Sequence, residues 1–181
     1  MRRIELCQAF LAGTLLAAAC SSCSSADPTG GTPPGFARAK GTNVSVARPA
    51  NWTAGSAPSK TMTATASSPD QGAEVDVLEN LLAGASKGSK DILVDTVEAG
   101  PQMNTTGYHR THTGPVDVKG AKAATRVDYT FTDVKKGPCQ AVDVAILAPD
   151  AQIHAVRVIW RRGGLDKRTV DHIVGSIEVN G

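Results

Sequence analysis

The chain contains four histidines, the residue type most often used for both proton transfer and metal binding near neutral pH. His109 and His112 are three residues apart on a predicted strand. Their side chains therefore point to opposite faces of a sheet and are poorly placed to share a metal ion. His154 is next to a predicted hairpin turn, and His172 is on the polar side of a predicted helix. We expect solvated or core-edge histidines and no metal site.

Carboxylates offer a second kind of site. Glu74 and Asp76 alternate along a predicted strand and share one face, and Asp91 and Asp95 follow in a predicted helix. Grouped carboxylates can bind a divalent cation, but an exposed polar face explains the same pattern. The chain has no Ser-x-x-Lys pair and no His-Glu-x-x-His helix. We predict a protein without catalytic residues or cofactors, and a hydrolase is the least supported function.

The segment 84–90 contains glycine, serine and lysine in an order that faintly suggests a phosphate-binding loop. Ser89 stands where that loop has its second glycine, so the spacing does not fit. The segment is better explained as the entry to a helix, with Ser89 as a candidate cap.

Basic residues cluster at the turn between the last predicted strand and the last predicted helix. They are Arg161, Arg162, Lys167 and Arg168. A cluster of this kind can bind anionic lipid or an acidic polymer, and it is also common at a solvated loop end. We treat these four residues as a candidate binding surface.

Trp52 and Trp160 are the two tryptophans of the chain. Either could form the floor of an apolar groove between a helix and the sheet, which would suit a lipid-like ligand, and either could belong to the core. The net charge is only +2, from 19 basic and 17 acidic residues. Such a balance gives no overall field that would attract nucleic acid.

The amino terminus has the features of an export signal. Arg2 and Arg3 precede an apolar run over residues 9–19, which is too short to cross a bilayer of about 30 Å as a helix. Small residues then lead directly to Cys20, in a pattern that resembles the lipobox of bacterial lipoproteins. The resemblance implies cleavage before Cys20 and acylation of its thiol; Ala17 stands where those proteins usually have leucine. Cys23 is the competing acylation site, and a plain secretory signal cut near residue 19 is the alternative to lipidation.

Beyond Cys20, the chain is rich in serine, glycine and proline up to about residue 42, which predicts a flexible tether. We expect a signal peptide over residues 1–19, a lipidated cysteine and tether over 20–42, and a globular domain over 43–181. Once the signal peptide is removed and Cys20 is acylated, Cys23 and Cys139 are the two thiols that remain. A disulfide between them would pull the domain onto the membrane, so a lone Cys139 is the simpler expectation.

Alternating apolar residues predict strands around residues 44–46, 62–66, 75–77, 116–118, 127–131, 142–146 and 153–160. The turn at 119–121 should connect the strand at 116–118 to its pairing partner at 127–131. Helical spacing predicts a helix from Ser89 to Glu98, which Gly100 and Pro101 should end. A second helix follows Asp166, its predicted cap, and buries a stripe that includes Val170. The order of these elements predicts an α+β domain with a mainly antiparallel sheet flanked by helices.

Three stretches carry a resemblance to a known family: the strand and turn of residues 44–52, the stretch from Val116 to Phe131, and the closing segment of residues 173–177. They look like LpqN-type actinobacterial lipoproteins, a group that shares its fold with the photosystem protein PsbP and a Ran-binding family. The resemblance implies a PsbP-like α/β/α sandwich over residues 43–180 and a non-enzymatic binding role. It provides no active-site residues.

Taken together, these features predict a lipoprotein on the extracytoplasmic face of the cell membrane. Its partners would be the membrane, through the lipid, and a protein or other component of the envelope. A non-enzymatic binding or assembly module is the first hypothesis, and a carrier of a small apolar ligand or lipid is the alternative. Oligomeric state does not follow from the sequence.

Overall fold

The computed structural model describes residues 32–82 and 87–180. The predicted signal peptide, Cys20, Cys23 and most of the predicted tether lie outside these residues. The described chain contains ten strands and two helices in this order: β1 (Phe36–Lys40), β2 (Val44–Pro49), β3 (Thr53–Gly55), β4 (Met62–Ser67), β5 (Ala73–Leu78), a 3-10 turn (Lys90–Ile92), α1 (Leu93–Asn104), β6 (Thr106–Pro115), β7 (Ala123–Asp133), β8 (Gly137–Leu147), β9 (Ile153–Arg161), α2 (Lys167–Gly175) and β10 (Glu178–Val179).

The main sheet has seven strands in the order β3-β4-β5-β9-β8-β7-β6, and every neighbouring pair is antiparallel. The strands from β6 to β9 form a meander because short turns connect them. Apolar side chains alternate along these strands and face two separate cores, so both faces of the sheet are covered. The predicted α+β class with a mainly antiparallel sheet is confirmed.

The first strand of the pair predicted around residues 116–118 lies earlier than expected. It is β6, which ends at Pro115, and Val116 and Val118 are in the loop that follows. The side chains of Val116 and Val118 still pack against the core, which explains why they gave an alternating signal.

A second sheet has the strand order β1-β2-β10. Its first strand lies within residues 20–42, where the sequence predicted a tether. Phe36 packs against the core, Ala39 is buried, and Arg38 forms an ion pair with Glu178 of β10. Strand β1 therefore precedes residue 43, the predicted start of the domain, and a polar, glycine-rich context concealed this short strand, which pairs with β2.

Helix α2 covers one face of the main sheet together with the small sheet, and α1 covers the other face. Asp166 caps α2 as predicted, since its carboxylate accepts a hydrogen bond from the backbone N–H of Thr169 at 2.9 Å. Val170, Ile173 and Val174 are buried on the inner side of the helix. No helix within residues 32–82 and 87–180 is long and apolar enough to cross a membrane.

Helix α1 differs from its prediction at both ends. It begins at Leu93 after a 3-10 turn, Ser89 makes no side-chain capping hydrogen bond, and Pro101 lies inside the helix, which ends at Asn104. Pro101 has no N–H to donate to the carbonyl of Val97 one turn earlier. The guanidinium of Arg157 makes a long contact of 3.5 Å with that carbonyl oxygen, and the helix continues past the proline to Asn104.

Candidate functional site

A groove of about 360 Å³ lies between the first turn of α2 and the outer strands of the meander. We call it the Trp160 groove. Its apolar part includes Val142, Trp160, Leu165 and Val170, and its polar part includes Arg126, Asp128, Thr130, Gln140 and Lys167. It is the groove between helix and sheet that the sequence suggested, with Trp160 in its wall. Trp52 is buried in the core and does not line the groove.

The alternation of β7 divides its side chains between the two faces of the sheet. Val127, Tyr129 and Phe131 pack in the core beneath α1, whereas Arg126 and Asp128 face the groove. The same strand therefore builds a hydrophobic core on one side and a polar wall on the other.

Trp160 is 7% exposed and is held in place by its indole N–H, which donates to the side-chain oxygen of Gln140 at 3.1 Å. Val142 and Val170 are buried beside it, and Leu165 is half-buried at the mouth. A ligand would therefore find a fixed aromatic edge with an amide beside it, a combination that orients a partly apolar molecule.

An ion network closes the helix side of the groove. Arg126 bonds Asp128 through Nε at 2.8 Å and Asp171 of α2 through Nη1 at 3.1 Å, and Lys167 also pairs with Asp171. The hydrogen bond from Lys167 and that from Arg126 hold the pKa of Asp171 below its usual value, against the opposing effect of burial. This network fixes the position of α2 on the sheet.

The structure separates the four basic residues of the predicted cluster. Lys167 lines the Trp160 groove, whereas Arg161, Arg162 and Arg168 do not. Arg161 follows Trp160 on β9 and therefore lies on the opposite face of the sheet, across from Cys139. Arg161, Arg162 and Arg168 are exposed, and none of them forms an ion pair with a carboxylate of the described chain.

The histidines are dispersed. His109 and His112 are exposed on β6, and His172 packs on the ring of Phe36 with ring centres 4.2 Å apart. His154 is only 1% exposed, so its predicted position at the edge of a turn was too superficial. No group of three histidine, cysteine or carboxylate side chains within the described ranges could hold a metal ion.

The carboxylates on β5 have protein partners. Glu74 bonds Lys136 at 2.8 Å, and Asp76 accepts a hydrogen bond from the hydroxyl of Thr65 at 2.7 Å. Asp76 is 6% exposed, so the exposed polar face that the sequence suggested is wrong for this residue. Asp91 and Asp95 are exposed.

The two cysteine predictions concern different parts of the chain. Cys139 is a buried free thiol at the start of β8. Cys20 and its predicted lipid belong to the region outside the described residues.

The segment Gly84-Ala85-Ser86-Lys87-Gly88 also matches the pattern Gly-x-Ser-x-Gly, which in α/β-hydrolases forms a sharp turn between a strand and a helix. Ser86 itself lies outside the described residues. The preceding strand ends at Leu78, and the next helical turn begins at Lys90. The flanking elements are therefore too far from the serine for the strand-turn-helix context that this motif requires.

Several solved structures are similar to this chain, and they include the following two. Cyanobacterial PsbP (CyanoP) from Synechocystis sp. PCC 6803 is 11% identical, with a TM-score of 0.56 over 85% of this chain and 100% of that one. The fold is PsbP-like. The Ran-binding protein Mog1p of Saccharomyces cerevisiae is 12% identical, with a TM-score of 0.52 over 80% of this chain and 95% of that one. The sequence matches no known protein-family model and no curated protein. At these identities the likeness concerns the fold alone.

The polar wall of the groove was missed by sequence reasoning. Arg126, Asp128 and Thr130 occupy the alternate positions between the apolar residues of β7, so the signal was present as a continuous polar face. That pattern is also expected of any strand with one solvent-facing side. Only the position of α2 shows that this face lines a groove.

Proposed function

We propose that this protein is a lipoprotein anchored by acylated Cys20 at the extracytoplasmic face of the cell membrane, and that its PsbP-like domain is a non-enzymatic binding module of the envelope. We also propose that it is an LpqN-type actinobacterial lipoprotein, as the resemblance of its sequence suggests. The Trp160 groove is the observation that carries the binding role.

The composition of the groove supports an amphipathic anion as its ligand. Trp160 and Leu165 offer an apolar contact, while the amide of Gln140 and the cation of Lys167 lie within the same lining. Arg161 and Arg162 follow Trp160 directly in the chain, outside the lining, and neither forms an ion pair with a carboxylate of the described chain. A chemical group with an apolar chain and a negative end matches both halves of the site.

The lining of the groove argues for binding and not for catalysis. The charged side chains that line it are bonded to one another, as Arg126 is to Asp128 and Lys167 to Asp171. A nucleophile with a free base beside it is not found among the lining residues. The lining of the groove is therefore better explained by a binding role than by a catalytic one.

A carrier of lipid is the second candidate, and the apolar wall around Trp160 favours it. A carrier has to withdraw a lipid from a membrane and enclose it, however, and about 360 Å³ is near the lower limit of ligand pockets. We therefore prefer a module that holds one short apolar group. Transfer of labelled phospholipid between vesicles would favour the carrier.

Single-tryptophan variants test the groove, because the chain has only Trp52 and Trp160. Bromine quenches indole fluorescence on contact, so 6-bromohexanoate serves as the probe and 6-bromohexanol as its uncharged control. We expect 6-bromohexanoate to quench Trp160 in the Trp52→Phe protein, with a dissociation constant on the order of 1 mM. The remaining Trp52 of the Trp160→Phe protein should not be quenched.

Charge reversal separates the apolar and electrostatic parts of the site. Arg161→Glu combined with Arg162→Glu should weaken 6-bromohexanoate about tenfold and leave 6-bromohexanol unchanged. Quenching that is equal for both tryptophans, or unaffected by the reversal, would contradict the proposed ligand class.

The anchor is tested separately. In a host that acylates lipoproteins, the wild-type chain should gain the mass of its acyl chains and partition with membranes, whereas the Cys20→Ala variant should not. Two or three acyl chains are needed for stable attachment to a membrane, so the added mass, which gives the number of acyl chains, also indicates how firmly the protein is anchored. Release of both proteins without added mass would favour the plain secretory signal.

A further inference from the structure

Four connections meet at one end of the main sheet, which we call the Val134 end. They are the β4–β5 turn (68–72), the β7–β8 turn (134–136), the turn after β9 (162–164) and the junction of α1 with β6 (104–106). The antiparallel registers bring the strand ends to one level. Two backbone hydrogen bonds join neighbouring tips: the N–H of Arg161 donates to Gly72 at 2.8 Å, and that of Arg162 donates to Pro138 at 2.9 Å.

The Val134 end has the two most exposed large apolar side chains of the described chain. Val134 is 99% exposed in the β7–β8 turn, and Met103 is 83% exposed in the last turn of α1. A cleft of about 210 Å³ has Thr105 and Lys136 in its lining, so the end of the helix and the turn lie on either side of it. Exposed apolar side chains on adjacent tips indicate a surface that contacts something less polar than water.

Exposed cations accompany these apolar tips. Lys135 follows Val134 in the β7–β8 turn, and Arg161 and Arg162 are at the end of β9. None of the three cations forms an ion pair with a carboxylate of the described chain. Apolar side chains beside unpaired cations are typical of a surface that binds anionic lipid.

The carboxylates of the Val134 end have partners within the protein. Glu74 forms an ion pair with Lys136 at 2.8 Å. One oxygen of Asp133 accepts two backbone N–H groups of the β7–β8 turn. Asp70 accepts the hydroxyl of Ser68 and a backbone N–H of its own turn. Among these three carboxylates only Asp70 is exposed, so the three exposed cations outnumber the exposed carboxylates of the four connections.

The chain enters the domain at the same end. The backbone carbonyl of Gly35 accepts the N–H of Ala50 at 2.9 Å. Three residues later, Thr53 begins β3 opposite Ser67, the last residue before the β4–β5 turn. Three residues span at most about 10 Å, so the entry point at Gly35 is close to the Val134 end.

The position of this entry matters because the inference rests on the proposed acylation of Cys20. The twelve residues from Ser21 to Thr32 connect that cysteine to the domain and can span at most about 40 Å. Such a short tether gives the domain a high local concentration of lipid, so weak contacts suffice to hold it on the bilayer. The end at which the chain enters is the end closest to the anchor along the chain.

From these observations we propose that the Val134 end rests on a bilayer that contains anionic phospholipid. Val134 and Met103 enter the headgroup region, while Lys135, Arg161 and Arg162 bind lipid phosphates. This contact adds to the acyl anchor and fixes the orientation of the domain on the membrane. Each cation near an anionic surface strengthens binding about fivefold, and salt weakens the effect.

Vesicle binding tests the contact without the acyl chain. The protein is the chain from residue 20 onward with Cys20→Ser and Cys23→Ser, which retains every described residue. Vesicles of equal parts phosphatidylglycerol and phosphatidylcholine should bind it at low salt with an apparent dissociation constant on the order of 1 mM lipid. Vesicles of phosphatidylcholine alone should bind it at least about tenfold more weakly.

Two double variants with equal net charge locate the contact. Lys135→Glu combined with Arg161→Glu should weaken binding to the anionic vesicles at least about tenfold. Lys40→Glu combined with Lys122→Glu is the matched control, because both lysines are exposed at the opposite end of the domain. The control should change the binding less than about twofold.

A polarity-sensitive fluorophore tests the apolar part of the contact. An NBD group on Val134→Cys should become brighter and shift to shorter wavelength when anionic vesicles are added. The same group on Asp117→Cys, exposed at the opposite end, should not respond. Cys139 is buried, so the label should attach to the introduced cysteine.

Three results would overturn the proposal: equal binding to the two kinds of vesicle, equal weakening by the two double variants, or equal fluorescence changes at the two labelled positions. A protein partner would then be the better explanation of the exposed tips. The acyl anchor is judged separately by mass, so acylated Cys20 without vesicle binding would contradict only this contact. Vesicle binding without acylation would contradict only the anchor.

Discussion

Three charged side chains stand side by side on the face of the main sheet beneath α1. Asp76 on β5, Arg157 on β9 and Asp143 on β8 are direct cross-strand partners. Arg157 makes two hydrogen bonds to Asp143, at 2.9 and 2.7 Å, and a third to the carbonyl of Val97. Two buried carboxylates therefore share one cation, so one negative charge is not fully compensated.

Burial is the largest influence on Asp76, and it raises the pKa of that carboxyl above its usual value of 3.8; the hydrogen bond from Thr65 and the charge of Arg157 oppose it, while Glu74 reinforces it. The folded protein therefore binds this proton more tightly than the unfolded chain does. It follows that the free energy of unfolding falls as the pH rises through the folded-state pKa, and that a constant penalty remains at higher pH.

Replacing the carboxyl of Asp76 with an amide removes the free-energy cost of burying its negative charge. Asp76→Asn should raise the free energy of unfolding by about 1 kcal/mol at pH 7, and the gain should shrink toward zero as the pH falls below 3.8. Urea denaturation at a series of pH values measures both effects. Asp117→Asn, at an exposed position, is the control. A variant that is less stable than the wild type at pH 7 would show that Asp76 is held mainly by its hydrogen bond with Thr65.

At the scale of elements, the patterns that repeat along the chain were the ones that could be predicted. The strands β4, β5, β7, β8 and β9 alternate clearly, and α2 has both a cap at Asp166 and an apolar stripe. The extension of α1 past Pro101 was not predicted, and the carbonyl of Val97 that the proline leaves without a helical donor lies beside Arg157, which is distant in sequence. Strand β1 was missed for a similar reason, since its stability comes from pairing with β2.

For the candidate site, too, features that depend on neighbouring residues could be predicted, whereas features that depend on distant residues could not. The basic cluster and a groove formed by one of the two tryptophans followed from composition and spacing, but which tryptophan lines it did not. The pocket lined by Asn43, His154 and Asn180 could not be predicted, because its lining comes from segments far apart in the sequence. The orientation of the His154 ring also depends on the backbone N–H of Asn80, for which the sequence contains no signal.

The first turn of α2 links the stability of that helix to the Trp160 groove. Asp166 accepts from the backbone N–H and the hydroxyl of Thr169, and these bonds lower the pKa of its carboxyl. Asp166→Ala removes the cap and should lower the melting temperature by a few degrees, whereas Asp166→Asn, which can still accept the bond, should change it less. Because Lys167 and Val170 line the groove, the alanine variant should also bind 6-bromohexanoate more weakly. Equal melting temperatures for the two variants would show that the network of Arg126 and Asp171 alone positions the helix.

At the scale of the whole domain, the small sheet is joined to the main sheet by a buried carboxylate. Glu79, 1% exposed, follows β5 and accepts the backbone N–H groups of Asn43 at 2.6 Å and Val44 at 2.9 Å. These bonds fix the point at which β2 begins. The strand β1 then pairs along β2, and Arg38 reaches Glu178 and the backbone carbonyl of Ser176. The two ends of the domain are therefore held together through β1.

This arrangement predicts where the chain can be shortened. A protein that starts at Thr32 retains β1 and should melt at the same temperature as the chain that starts at Cys20. A protein that starts at Asn43 loses the contacts of Phe36 and Ala39 with the core, together with the Arg38 ion pair, and should lose about 3 kcal/mol of stability. Thermal denaturation of the three proteins, with Cys20 replaced by serine in the longest, provides the comparison. If the protein that starts at Asn43 were as stable as the others, β1 would be an accessory strand and the domain would begin where the sequence pattern first suggested.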